Sequence, residues 1–120
     1  MVEPFHSKKL EETFGPPRQP RAELTPHHED VASSLQAVTE EIIFHLARRL
    51  HARAPQDNLG LAGGCAMNSV ANGKILTHTP FKDVYIPAGA ADNGTAFGAA
   101  FYVWNQLLGR PRSFVQEHAY

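Results

Sequence analysis

The 120 residues carry 11 basic and 12 acidic side chains for a net charge of −1, which bounds the chain to one domain or less. The charges are spread without a basic tract able to neutralise a run of phosphates, so nucleic acid is not expected as a ligand. No apolar run reaches the roughly 20 residues that span a bilayer and the first residues lack the regions of a signal peptide, so a cytoplasmic chain without membrane contact is expected.

From Pro4 to Pro26 the chain holds five of its nine prolines, and only Lys8 to Phe14 can form a short helical turn. Residues 1–25 therefore read as an extended, proline-rich arm. Thr25 is a suitable cap and Pro26 suits the first helical position, where its missing N–H has no partner to lose. Apolar residues then recur at Val31, Leu35, Val38, Ile42, Leu46 and Leu50, with Glu40, Glu41, Arg48 and Arg49 on other faces. This spacing predicts an amphipathic helix that ends before Pro55, with the leucine-rich stripe as its core side.

Asn58 to Ala62 reads as a short strand, Gly63-Gly64 as a tight turn, and Cys65 to His78 as helix interrupted at Asn72-Gly73. Phe81 to Pro87, with Val84, Tyr85 and Ile86, suits a second strand. Asp92 is placed to cap a helix over Asn93 to Leu108, stopped by Gly109 and Pro111. Phe97, Phe101, Trp104 and Leu108 make one stripe of that helix and Ala96, Ala100, Val103 and Leu107 a neighbouring one, so burial on more than one side is expected. The strands enclose a crossover the size of a βαβ unit, which favours parallel pairing. The fold class is α/β, a parallel βαβ unit flanked by helices, and a sheet this thin points to further structure around it.

Ligands of open parallel sheets gather at the carboxyl ends of the strands. Two loops reach that edge. In the first, Gly63 and Gly64 let backbone approach a phosphate and Asn68 follows about one helical turn later; the same glycines also fit a plain strand-to-helix turn. In the second, Asp92 can ligate a cation or simply cap a helix. The seven histidines include no i, i+4 pair, so no complete metal site is visible. Cys65 either packs beneath the turn as a small apolar residue or, at a helix start that lowers its pKa, acts as a nucleophile.

The segments Leu59-Gly60-Leu61-Ala62-Gly63-Gly64-Cys65-Ala66-Met67-Asn68-Ser69-Val70-Ala71-Asn72-Gly73-Lys74, Thr79-Pro80-Phe81-Lys82-Asp83-Val84-Tyr85-Ile86-Pro87 and Asp92-Asn93-Gly94-Thr95-Ala96 resemble the O-carbamoyltransferase family of nodulation-factor and antibiotic-tailoring enzymes. The likeness runs from about Ser7 to Tyr120. It implies a fold similar to actin, the sugar kinases and the tRNA threonylcarbamoyl-transfer proteins, with residues 26–120 forming part of an actin-like lobe.

It further implies ATP and carbamoyl phosphate as co-substrates, a carbamoyl-adenylate intermediate and a small-molecule or sugar hydroxyl as acceptor. By the resemblance Gly63, Gly64 and Asn68 match the nucleotide-contacting motif, and Asp92 matches a ligand of a divalent metal, iron or magnesium. Two upstream histidines that complete that metal site have no counterpart here, and Ala91 stands where the family has glycine before the aspartate. The chain is accordingly expected to be truncated at both ends and to work with the missing lobes of a carbamoyltransferase or as a homodimer. The contrasting expectation is a non-catalytic fragment that folds by association and at most binds nucleotide.

Overall fold

The structure is a computed structural model and describes residues 6–113. Those parts of the expected arm before residue 6 and of the expected lobe after residue 113 lie outside the described residues. Two compact units divide the chain, Met1–Thr39 and Glu40–Tyr120.

In the first unit, helix α1 (Lys8–Phe14) occupies the stretch where the sequence allows a helical turn. It stops at Gly15, whose φ of 85° is left-handed and natural only for glycine, and the Gly15 N–H donates to the Glu11 carbonyl at 2.8 Å. Helix α2 (Pro26–Arg53) starts at the predicted residue. The Thr25 N–H donates to His28 Nδ1 at 3.1 Å and the Thr25 hydroxyl lies 2.7 Å from the same nitrogen, so a histidine fills the reciprocal capping position that Glu or Gln usually takes. His27, in the same turn, lies with Nε2 2.7 Å from the Phe14 carbonyl, satisfying an orphan acceptor at the end of α1.

The core of the second unit is Phe44 and Ala47 of α2, with Leu59, Ile75 and Phe81. Strands β1 (Asn58–Gly60) and β2 (Asp83–Tyr85) pair in parallel with Leu59 opposite Val84, as the crossover length predicts. Both are shorter than the sequence suggests. Pairing extends past β1, because the Leu61 N–H donates to the Tyr85 carbonyl at 3.0 Å, but neither Ala62 nor Ile86 belongs to a strand. The expected middle helix is broken further, into a 3₁₀ turn (Gly64–Met67), α3 (Ser69–Asn72) and α4 (Ile75–His78), around Asn68 and Gly73-Lys74.

One expectation is reversed: in α2 the leucine-rich stripe is not the core side. Ile42, Leu46 and Leu50 are 54%, 60% and 50% exposed, Leu35 and Val38 are exposed as well, and Phe44 and Ala47 are buried. At about 100° per residue Phe44 stands nearly opposite Leu46 and Ala47 about a quarter-turn from it, so α2 is apolar on two sides. The sheet takes the narrower side because specific partners lie there. Phe44 stacks on His78 at 4.7 Å, His51 meets Phe81 edge-on at 5.2 Å, and buried Glu40 accepts from Lys74 Nζ at 2.7 Å. A Leu46→Lys substitution is therefore expected to change the unfolding free energy by less than about 0.5 kcal/mol. Phe44→Ala is expected to cost about 3–5 kcal/mol, both read by urea denaturation.

A second expectation fails at the last helix. Helix α5 (Gly94–Phe101) continues as π-helix over Tyr102–Leu107, and neither segment has a buried residue. Burial on several sides does not occur, since Phe101, Trp104, Leu107 and Leu108 remain exposed. The predicted stop holds: the Leu108 N–H donates to Val103, the Arg110 N–H to Trp104, and Gly109 takes a φ of 60°. No described helix is long and apolar enough to cross a membrane.

Candidate functional site

The carboxyl ends of the two strands release two loops on the same edge of the sheet, residues 61–68 after β1 and 86–93 after β2. The Gly63 N–H donates to the Ala90 carbonyl at 2.7 Å and ties one loop to the other. Gly63 itself takes a φ of 94°, a conformation strained for any other residue. A Cβ added at Gly63 or Gly64 would meet no atom within 4 Å, so the backbone of the turn is open to a ligand. With its N–H committed to Ala90, Gly63 offers this access rather than a donor.

Beyond the glycines, the Ala66 N–H donates to Gly63 at 3.0 Å and the Asn68 N–H to Cys65 at 3.1 Å, which winds the 3₁₀ turn. Asn68 ends it and begins α3: its side-chain oxygen accepts from the Ala71 N–H at 3.0 Å. From α3 the Asn72 amide reaches back and donates to the Ala66 carbonyl at 2.7 Å, clamping the turn from outside. Cys65 is exposed and does not pack beneath the turn; Ala66, 6% exposed, takes that place.

In the second loop, Asp92 does not cap α5 with its side chain. The Gly94 N–H donates to Ala91 and the Thr95 N–H and hydroxyl both donate to the Asp92 carbonyl, at 2.9, 3.1 and 2.6 Å. This turn moves the helix start to Gly94 and makes Asn93, without a side-chain bond, the preceding residue. The exposed Asp92 carboxylate is thereby not spent on the helix. The loop closes on itself at its two glycines: a Cβ on Gly94 would run into the Gly89 carbonyl oxygen, and one on Gly89 would lie 2.6 Å from the Phe97 ring.

Between the loops lies a cavity of about 490 Å³ with Gly63, Tyr85, Asp92, Thr95, Phe97 and Phe101 in its lining. Of the four residues singled out by sequence, Gly63 and Asp92 share this space, whereas Gly64 and Asn68 do not line it. Among the described residues no three histidine, cysteine or carboxylate side chains converge on a point that could hold a metal ion. Sequence reasoning missed Ala90, Asn72 and Tyr85. Only Asn72 left a signal, being four residues after Asn68 and so on the same side of the chain if that stretch is helical.

Open parallel sheets bind ligands at the carboxyl ends of their strands, the edge that here carries an open glycine turn and a carboxylate. Comparison with known proteins is more specific. Residues 4–101 match the family described as Carbamoyltransferase N-terminus. The chain is 42% identical over 107 residues to the uncharacterized protein sll1178 of Synechocystis sp., covering 88% of this chain and 17% of that protein. It is 39% identical over 95 residues to nodulation protein NolNO of Sinorhizobium fredii (78% and 14%) and 42% identical over 88 residues to nodulation protein NolO of Bradyrhizobium diazoefficiens (73% and 16%). No solved structure matches. The chain belongs to the carbamoyltransferase family, in the part that forms the N-terminus of its members. It spans between 14% and 17% of the length of these three relatives.

Proposed function

We propose that this chain supplies half of the active site of an ATP-dependent O-carbamoyltransferase, within an actin-like lobe of a cytoplasmic enzyme. The observation that carries this reading is the Gly63 to Ala90 hydrogen bond, which brings the glycine turn and the Asp92 loop, both matched to the family, against one cavity. In the proposed reaction water releases inorganic phosphate from carbamoyl phosphate, the carbamate oxygen attacks the α-phosphorus of ATP and expels pyrophosphate to give a carbamoyl-adenylate, and a hydroxyl of a small molecule or sugar takes the carbamoyl group and releases AMP. The hydroxyl oxygen attacks the carbamoyl carbon, the bond to the nucleotide phosphate breaks, and the hydroxyl proton leaves to a base outside this chain.

In that step the open backbone at Gly63 and Gly64 admits the phosphate, and Asn68 holds the turn by anchoring α3. Transfer through a tetrahedral centre places negative charge on oxygen, which preorganised donors or a cation must stabilise. Asp92 offers one ligand to a divalent cation, iron or magnesium. One carboxylate does not make a site, so the other ligands, like the acceptor pocket, would come from the remaining lobes or a second copy. Replacing the matched segment of an active family member with this chain is expected to retain ATP-dependent carbamoylation. A folded chimera that binds its acceptor but transfers nothing would contradict the reading.

The absence of three converging metal ligands among the described residues favours a second reading, a non-catalytic segment that binds nucleotide at most. In that case the chimera binds ATP and remains inactive, and restoring glycine with Ala91→Gly does not rescue it.

A further inference from the structure

Of the five asparagines in the chain, two are followed by glycine, Asn72 and Asn93. An asparagine before glycine is open to an internal reaction, because no Cβ on the next residue hinders the approach of its backbone nitrogen to the side-chain carbonyl carbon. The surroundings of the two pairs differ.

Asn72 is half-buried at the end of α3. Its side-chain nitrogen donates to the Ala66 carbonyl at 2.7 Å, and the following Gly73 N–H donates to the Ser69 carbonyl at 3.0 Å. Reaction there would strip buried Ala66 of its donor and undo the last bond of α3, and a buried acceptor left unpaired is costly. Asn93 is exposed and makes no capping bond with its side chain. The Gly94 N–H makes one bond, to the Ala91 carbonyl at 2.9 Å, in the turn that precedes α5. Bonds at frayed element ends open at little cost.

Packing also fixes which pair must keep its glycine. A Cβ on Gly94 would run into the Gly89 carbonyl oxygen, whereas one on Gly73 would come no nearer than 3.5 Å to the Ser69 oxygen, an ordinary contact. The loop after β2 thus retains a reactive pair and leaves its side chain unrestrained.

We propose that Asn93 is a site of spontaneous modification, deamidation through a cyclic imide. The Gly94 nitrogen loses its proton to solvent and attacks Cγ of Asn93. A C–N bond forms, and the side-chain nitrogen takes up a proton and leaves as ammonia. Water then adds to either ring carbonyl and breaks its bond to the Gly94 nitrogen, giving aspartate or isoaspartate. Either product sets a second carboxylate directly after Asp92, and isoaspartate also lengthens the loop backbone by one carbon. The inference uses only the loop's own atoms and does not rest on the nucleotide reading, so either can fail without the other.

The full chain is held in mildly alkaline buffer at body temperature, with and without guanidinium chloride, and sampled for peptide mapping by mass spectrometry. In buffer Asn93 is expected to convert at least tenfold faster than Asn72, with isoaspartyl and aspartyl peptides both appearing. In denaturant the two asparagines are expected to convert at rates within a few-fold of each other. An accompanying acidic shift on ion exchange should vanish in Asn93→Gln, whose longer side chain disfavours ring closure. Asn93 intact in buffer while it converts in denaturant, Asn72 converting as fast as Asn93 in buffer, or the same ratio of the two rates with and without denaturant would overturn the proposal.

Discussion

Ile75→Ala is expected to destabilise the second unit by about 2–5 kcal/mol, the cost of deleting a large buried aliphatic group and leaving a cavity. Ile75 has no exposed surface and begins α4, and with Phe44, Ala47, Leu59 and Phe81 it makes up the buried cluster. The loss is a large share of the total, since domains of this size have only about 5–15 kcal/mol. Urea denaturation followed by circular dichroism reads the change, with Ile75→Val as a graded control at about 0.5–1.5 kcal/mol. If Ile75→Ala costs no more than Leu46→Lys, the assignment of the core is wrong.

Gly94→Ala is expected to have the largest effect on the candidate site. The added methyl would occupy the space of the Gly89 carbonyl oxygen, which is backbone and cannot rotate away, so the loop must open. Overpacking of this kind costs roughly 1–3 kcal/mol. The more telling consequence is local: Asp92 and Ala90 sit inside the displaced loop, and Ala90 receives the Gly63 N–H. Amide hydrogen exchange at Gly63 should accelerate by well over tenfold while exchange in α2 stays within a few-fold. Unchanged protection of Gly63 would show that the two loops are not held by this bond. Gly98→Ala, at a position where a Cβ meets nothing within 4 Å, is the control and should be neutral or slightly stabilising.

Much of the backbone was legible in the sequence because its signals are local. Thr25-Pro26 marks the start of α2, Gly109 its counterpart at the end of the last helix, and the length between Leu59 and Val84 the parallel pairing. What failed was the choice of face. Ile42, Leu46 and Leu50 outnumber Phe44 and Ala47, and periodicity counts residues without knowing which partners exist. The sheet has two strands, and Glu40, which pattern reading assigns to a polar face, is buried because Lys74 reaches it from 34 residues away in sequence. A long-range ion pair leaves no periodic trace.

The same reasoning explains the site. Gly63 and Asp92 were visible as residue types suited to strand ends, and the structure puts both on one cavity. Asp92 was misread as a cap because the preference of aspartate for helix starts does not register the Ala91 to Gly94 turn, which shifts the start by one residue, to Gly94. Ala90 and Tyr85 act through a carbonyl and a ring at positions that no motif marks. The bare apolar sides of α2 and of the last helix are consistent with a chain that spans a minor part of its relatives' length.

In the proposed function the two loops form one nucleotide-binding edge. The most direct measurement is calorimetric titration of ATP, with and without Mg²⁺ or Fe²⁺, into the folded 120-residue chain and into its Asp92→Asn and Asn68→Ala variants. Asp92→Asn keeps the shape of an exposed side chain, so loss of fold does not confuse its result. Saturable binding is expected, with an approximately tenfold loss in Asp92→Asn only when the metal is present, corresponding to about 1.4 kcal/mol, and a loss in Asn68→Ala in both conditions. A folded chain that takes up no ATP, or binding that neither substitution alters, would contradict it.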